Sequence, residues 1–169
     1  VTQLRYQKII LDQLGDKLNE DQIISEPDRR NTAPCILLAS LKIQKRNPKA
    51  IIIVSPSDHS IKNEVIFKSD MEFALASAGK ENLITFGIVP TFPATGFGYI
   101  SVIADENRLK TVLEFTEKPD EIKAKSLIES GNYYWNSGIF VWSTETILNA
   151  FEKLEKSLTK IFKLSLIHI

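Results

Sequence analysis

Apolar positions along this chain switch between a helical spacing and short continuous runs. Ile9, Ile10 and Leu14 fall on one face of a helix over residues 6–14, which Gly15 can stop. Residues 22–25 read as a short strand running into Glu26-Pro27. Asn31-Thr32-Ala33-Pro34 is a helix-start signal, because Asn or Thr caps and an early Pro lacks an N–H that the first turn does not need. The helix continues through Ile36, Leu37, Ala39, Ser40 and Ile43 to Asn47-Pro48. Residues 50–54 are uninterrupted aliphatics, the pattern of a parallel strand covered on both faces. Phe67, Met71, Ala74, Leu75 and Ala78 form the next helical stripe, with Gly79 as its C-cap. A strand over residues 83–89 follows.

The second half changes character. Residues 99–104 and 109–116 flank Asp105-Glu106-Asn107-Arg108 and predict an antiparallel hairpin. Residues 119–129 predict a helix, 138–142 a strand, and Ile147, Leu148, Phe151 and Leu154 a last helix. The order is that of one α/β domain: a mostly parallel sheet between helices, with an antiparallel hairpin or edge.

Length and composition narrow the class. The chain has 169 residues, 43% of them hydrophobic and 25% charged, which is ordinary for a globular domain. Lys+Arg and Asp+Glu both number 21, and zero net charge argues against a nucleic-acid or membrane-surface binder. No apolar run is long enough to span a membrane. Cys35 stands alone, so there is no intramolecular disulfide and no cysteine-based zinc site; in an apolar helix start it reads as a core residue. With no signal-peptide pattern, a cytoplasmic location is expected.

Both ends look cut. The chain lacks an initial Met, and Leu164-Ser165-Leu166-Ile167-His168-Ile169 matches the translation of a sequencing adapter. Residues 164–169 are therefore expected to be a non-native tail, a short native apolar terminus being the alternative. That leaves residues 1–163 as a partial domain.

In open α/β sheets ligands bind beyond the carboxyl ends of strands. That rule singles out Glu26, Asp58 with His59, the loop over residues 90–98, Glu117-Lys118, and residues 134–137. Asp58 can hold Mg²⁺, a hard cation that takes oxygen ligands, or serve as a turn or cap aspartate. His59 suits a phosphate contact or a structural place. The glycines of Thr95-Gly96-Phe97-Gly98-Tyr99 allow close backbone approach, and its aromatics suit a sugar ring; a loop entering a strand is the plainer reading. Glu117 ends the row Leu109, Thr111, Leu113, Phe115, read as core-facing, so it needs a partner: a ligand hydroxyl, a cation or Lys118. Lys118 points the other way in a regular strand unless the break at Pro119 re-aims it. Asn136-Ser137, beside Trp135, suits hydrogen bonding to a polyol, or a structural turn.

Taken together these segments resemble the bacterial mannose-1-phosphate guanylyltransferases. The stretches that carry the likeness are Glu26-Pro27-Asp28-Arg29-Arg30-Asn31-Thr32-Ala33-Pro34, Pro56-Ser57-Asp58-His59, Phe86-Gly87-Ile88-Val89-Pro90-Thr91, Thr95-Gly96-Phe97-Gly98-Tyr99-Ile100, Phe115-Thr116-Glu117-Lys118-Pro119 and Trp135-Asn136-Ser137-Gly138-Ile139-Phe140. The resemblance implies a Rossmann-like αβα sandwich of the sugar-nucleotide transferase type, truncated at both ends. It implies transfer of GMP from GTP to α-D-mannose 1-phosphate, with Mg²⁺ as cofactor. By resemblance Asp58 is the metal ligand and, with Lys118, a catalytic residue. Glu26, Asn31 and Thr32 stand where base and ribose are read, and a carboxylate at Glu26 can accept both N–H donors of guanine. Gly98, Glu117, Lys118 and Asn136 become the sugar-phosphate contacts.

Departures accompany the likeness. Ser57, Cys35 and Phe97 replace the usual alanine, alanine and tyrosine. The family's glycine-rich phosphate loop and second metal aspartate are missing, so the chain alone is expected to be inactive and a sheet neighbour unpaired. A homo-oligomeric parent is compatible with the sequence. Competing readings are a non-catalytic sugar-nucleotide-binding regulatory module and a related enzyme for another sugar or base. The catalytic reading requires Asp58 to share a rim with Glu117 and Asn136.

Overall fold

A computed structural model describes residues 1–26, 28, 31–79 and 81–167. Pro27, Arg29 and Arg30 of the first motif, and His168 and Ile169 of the suspected tail, lie outside the described residues. The chain divides into two compact units: Val1–Ile52 with Ala78–Asn82 and Trp142–Ile169, and Ile53–Ser77 with Leu83–Val141.

In the first unit β1 (Thr2–Gln3) pairs in parallel with β2 (Ser25–Glu26), Gln3 opposite Glu26. The strand expected over residues 22–25 is displaced, because a capping box at Asn19 winds Glu20–Gln22 into a 3₁₀ turn. Helix α1 (Gln7–Leu14) ends as expected at Gly15, whose φ of +46° suits glycine. Helix α2 (Thr32–Arg46) follows Asn31 and closes at Asn47. It packs on α5 (Thr144–Leu154), where Leu37, Leu41, Ile147, Leu148 and Phe151 are buried. Ser143 Oγ accepts the Thr146 N–H at 3.0 Å, and the Thr144 N–H reaches Ala50 O at 2.9 Å. Helix α6 (Lys156–Ile167) takes in residues 164–167.

The larger sheet has five strands in the order β3-β7-β5-β6, with β4 also paired to β7. These are β3 (Ile51–Val54), β4 (Ile84–Ile88), β5 (Tyr99–Val102), β6 (Val112–Thr116) and β7 (Tyr133–Ser143). The division between the units falls inside β3 and β7. The α/β class and the β5–β6 hairpin are as expected, Tyr99 facing Thr116 across an antiparallel pair. The sheet departs from a simple run of parallel crossovers. The pairs β4–β7, β5–β7 and β5–β6 are antiparallel, and β3 and β4 both neighbour β7. An alternation of helix and strand does not say which strand will enter late between two earlier ones.

Helix α3 is Glu64–Ala78, and α4 (Glu121–Glu129) is capped by Asp120, which accepts the Lys123 N–H at 2.8 Å. Under the hairpin Tyr99, Ala94, Ala124, Leu127 and Trp135 form a buried cluster. The Tyr99 hydroxyl donates to Ala94 O at 2.9 Å and ties down the incoming loop. No helix among the described residues is long and apolar enough to cross a membrane.

Three expectations are corrected. Ile51 and Ile53 are 40% and 45% exposed while Ile52 is buried, so β3 is covered on one face only among the described residues. A continuous aliphatic run cannot specify what lies over it. Leu113 and Phe115 are 62% and 56% exposed, so the row leading to Glu117 does not face a core. Strand β6 is the end strand of the sheet, and its odd-numbered face is left open. Finally β7 begins at Tyr133, not at residue 138, which puts Asn136 and Ser137 in a strand rather than a turn. Hydrogen bonding to β4 and β5 on both edges overrides the turn preference of Asn and Gly.

Candidate functional site

Three of the expected residues meet at one corner of the second unit. Gly98 leads into β5, Glu117 follows β6, and Asn136 lies in β7. The Asn136 N–H donates to Gly98 O at 2.7 Å and seals the loop to the strand. A β-carbon built on Gly98 would lie 2.9 Å from Glu117 Oε2, 3.6 Å from Asn136 Cβ and 3.9 Å from Asn136 Nδ2. The missing side chain therefore lets a carboxylate oxygen and an amide close in on the Gly98 backbone. A sugar hydroxyl both donates and accepts, and a carboxylate beside an amide offers a partner for each capacity.

Lys118 joins the corner through backbone strain. Its φ is +40°, a left-handed conformation that costs a non-glycine residue on the order of 1 kcal/mol or more. The strand ends there, and Lys118 Nζ comes within 3.7 Å of Glu117 Oε1 instead of pointing away from it. The break before Pro119 has re-aimed the lysine. Both side chains are mostly exposed, so the pair itself contributes little stability and the groups are accessible to a charged ligand.

Asn136 is held on its acceptor side. Its Oδ1 receives the Gly138 N–H at 3.1 Å and the Thr85 hydroxyl at 3.2 Å. Oδ1 must be the oxygen, since the Gly138 N–H can only donate, and the Thr85 hydroxyl shares its one proton between Oδ1 and Ile139 O, 3.2 Å from each. Beside it, Trp135 meets the rings of Phe92 at 4.9 Å and Phe97 at 5.2 Å, both edge-on. Phe97 is 47% exposed over Trp135.

Asp58 sits in an exposed turn after β3. Pro56, two residues before it, fills the space over Gly138: a β-carbon there would stand 3.3 Å from Pro56 Cγ, and the Gly138 φ is +71°. The Asp58 turn is thus laid against β7 two residues from Asn136. No cluster of three potential metal ligands occurs among the described residues. Asp58 fits Mg²⁺ as a single carboxylate anchor, the arrangement this cation accepts when phosphate and water complete its shell. His59 is exposed in the same turn.

Glu26, Asn31 and Thr32 belong to the first unit, whereas Asp58, Gly98, Glu117, Lys118 and Asn136 belong to the second. Glu26 is half-buried at the end of β2. Asn31 precedes α2 with φ +67°, and its side chain makes no capping hydrogen bond. Thr32 is exposed in the first turn. Cys35 behaves as a partly buried thiol: burial first, and then the Glu26 carboxylate, push its pKa up, against a smaller opposing pull from the chain's amino terminus. A thiol held protonated is a poor nucleophile, in line with its expected structural role.

Two contributors escaped the sequence reading. Pro56 is ordinary punctuation after a strand, and nothing in Ile84-Thr85-Phe86 marks Thr85 as more than a β-forming residue. Only the partner across the sheet gives either a role.

The chain is similar to known proteins over nearly its whole length. The model of the family described as Nucleotidyl transferase matches residues 1–168. The xanthan biosynthesis protein XanB of Xanthomonas campestris pv. campestris (strain B100) is 40% identical over 148 residues, covering 88% of this chain and 31% of that protein. A mannose-1-phosphate guanylyltransferase of Salmonella montevideo is 42% identical over 145 residues, covering 81% and 30%. The chain thus spans about a third of the length of these curated relatives. A solved structure from Thermus thermophilus, described as a mannose-1-phosphate geranyltransferase, superposes with a TM-score of 0.87 at 25% identity, covering 99% of this chain and 49% of that one. One from Helicobacter pylori, described as a mannose-6-phosphate isomerase, gives 0.81 at 29% identity, covering 95% and 61%.

Proposed function

The chain belongs to the Nucleotidyl transferase family, and from that premise we propose that it is part of a mannose-1-phosphate guanylyltransferase. The observation that carries this reading is the meeting of Gly98, Glu117 and Asn136 at one corner, with Lys118 turned beside them. The named guanylyltransferases among its relatives support the same substrate class.

In this reading the whole protein converts GTP and α-D-mannose 1-phosphate to GDP-mannose and pyrophosphate. A phosphate oxygen of the sugar phosphate attacks the α-phosphorus of GTP; a new P–O bond forms, and the bond to the β-phosphate oxygen breaks in line. Such transfer needs alignment and charge neutralisation more than covalent help. Glu117 accepts from a mannose hydroxyl, Asn136 Nδ2 donates to one, and Gly98 lets the ring approach the backbone. The Lys118 ammonium pairs with the sugar phosphate and lowers its repulsion from the triphosphate. Glu26 accepts the guanine N1–H and N2–H, with Asn31 and Thr32 beside base or ribose. Asp58 holds Mg²⁺, which when bound neutralises phosphate charge.

The test is direct. The whole protein carrying this chain is incubated with GTP, mannose 1-phosphate and Mg²⁺, and GDP-mannose and pyrophosphate are quantified. Equimolar formation of both is expected, and the 169-residue chain alone, which contains no glycine-rich loop with Arg and Lys for the triphosphate, is expected to form neither. Ligand binding without turnover by the whole protein would instead indicate a regulatory module. Preference for another sugar phosphate would reassign the substrate.

A further inference from the structure

We propose that Thr85 is a positioning residue for sugar recognition, acting through Asn136. This rests on the sugar-phosphate reading of the corner above and adds a residue that makes no contact with the substrate itself.

The starting point is the chemistry of a primary amide. Its two ends have almost the same shape but opposite hydrogen-bonding sense, so an asparagine presents a donor or an acceptor according to what holds the far end. At Asn136 the far end is held twice. The Gly138 N–H reaches Oδ1 at 3.1 Å, and the Thr85 hydroxyl reaches it at 3.2 Å. A flipped amide would set Nδ2 against the Gly138 donor and lose that bond, and the Thr85 hydroxyl could then only accept from it while donating to Ile139 O. The arrangement therefore puts Nδ2 on the Gly98 side, 3.9 Å from where a β-carbon of residue 98 would stand, with Glu117 Oε2 2.9 Å from the same point.

The two holders differ in how firmly they are set. Gly138 is two residues along the same strand, and its N–H moves with the kink that its φ of +71° introduces. Thr85 comes from β4, across the sheet, where the pairing slips between Thr85 and Gly87. That irregularity places Gly87 opposite Asn136 and leaves the Thr85 hydroxyl within reach of both Asn136 Oδ1 and Ile139 O, each at 3.2 Å. A β-carbon on Gly87 would stand 2.9 Å from Tyr134 Cβ, so the close approach of the strands at the slip depends on that glycine. Thr85 is half-buried, and its hydroxyl reaches the amide from β4, across the sheet from β7.

The experiment compares Thr85→Val and Thr85→Ser with the wild type in the whole protein carrying this chain. The valine keeps the shape and removes the donor, whereas the serine keeps the donor. In Thr85→Val the KM for mannose 1-phosphate is expected to rise about fivefold to tenfold, the effect of one lost hydrogen bond, with kcat and the KM for GTP within about twofold. Thr85→Ser is expected to restore the sugar-phosphate KM. A second readout uses protein labelled with ¹⁵N-asparagine: the side-chain amide pair of Asn136 is expected to shift and broaden in the valine variant and to return in the serine variant. An unchanged sugar-phosphate KM in Thr85→Val, an equal rise for both substrates, or an unmoved Asn136 amide overturns the proposal. Wild-type protein that does not use mannose 1-phosphate overturns the functional reading instead, and the Asn136 amide signals then decide alone whether Thr85 sets that side chain.

Discussion

A side chain at Gly98 would bring its β-carbon to 2.9 Å from Oε2 of Glu117, although the two residues are separated by the whole β5–β6 hairpin. The obstructing atom is the free end of a flexible side chain, so it can swing aside at little cost to folding. Gly98→Ala is therefore expected to change stability by less than about 1 kcal/mol while weakening mannose 1-phosphate binding at least about tenfold. Urea unfolding and calorimetric titration of the whole protein measure the two effects separately. Parallel losses in both would mean that Gly98 is a folding residue and not a substrate-facing one.

Gly138 is the opposite case. Its φ is +71°, and an added β-carbon would press on Pro56 at 3.3 Å. Gly138→Ala should cost about 1–2 kcal/mol of stability through backbone strain alone. Gly96→Ala, with nothing within 4 Å, is the internal control and should be nearly neutral. Equal midpoints for the two variants in urea would show that the kink in β7 tolerates a side chain.

Lys118 should show a trade between stability and function. Its φ of +40° precedes Pro119, and glycine adopts that conformation without penalty. Lys118→Gly is expected to keep or raise the thermal midpoint yet lose about a hundredfold in kcat/KM, because the ammonium proposed to pair with the sugar phosphate is gone. A destabilised variant, or one that retains turnover, would contradict the role given to the strained lysine.

Cys35 offers a titration that needs no substrate. Burial and Glu26 raise its thiol pKa, so alkylation by iodoacetamide should accelerate only above the pH at which an ordinary cysteine reacts. Glu26→Gln removes one of the two causes and should move the profile to lower pH. The sign for stability follows: the raised folded-state value favours the protonated thiol. Its contribution is complete below the unfolded pKa and is lost as pH rises through the folded one. An alkylation profile unaltered by Glu26→Gln would separate the two residues.

The aliphatic and helical periodicities were enough to locate α2, α3, α4 and the β5–β6 hairpin, because those patterns report how a segment relates to its own axis. The same reasoning placed Leu113 and Phe115 against a core, where the structure leaves them open. Alternation shows that a strand has two unlike faces and says nothing of what covers either. Around Asn136 the sequence offered a structural turn beside a polyol contact for a related reason. Local preference is weak beside the hydrogen bonds that β7 makes to β4 and β5, and those partners are distant in the chain.

What the sequence determined by itself was the α/β class and the set of residue types able to meet a sugar phosphate: a carboxylate, a lysine, an amide and a glycine. Their local chemistry is carried by the chain and survives any arrangement. What only the tertiary structure decided was which of them act together. Gly98, Glu117 and Asn136 become one corner, and Thr85 becomes a hold on Asn136, because a slipped antiparallel pairing and close backbone approaches bring Asn136 within hydrogen-bond distance of Gly98 and Thr85 and set Glu117 against Gly98. Hydrogen bonds have a range of about 3 Å, so their partners are set by sheet register, which no short stretch of sequence encodes.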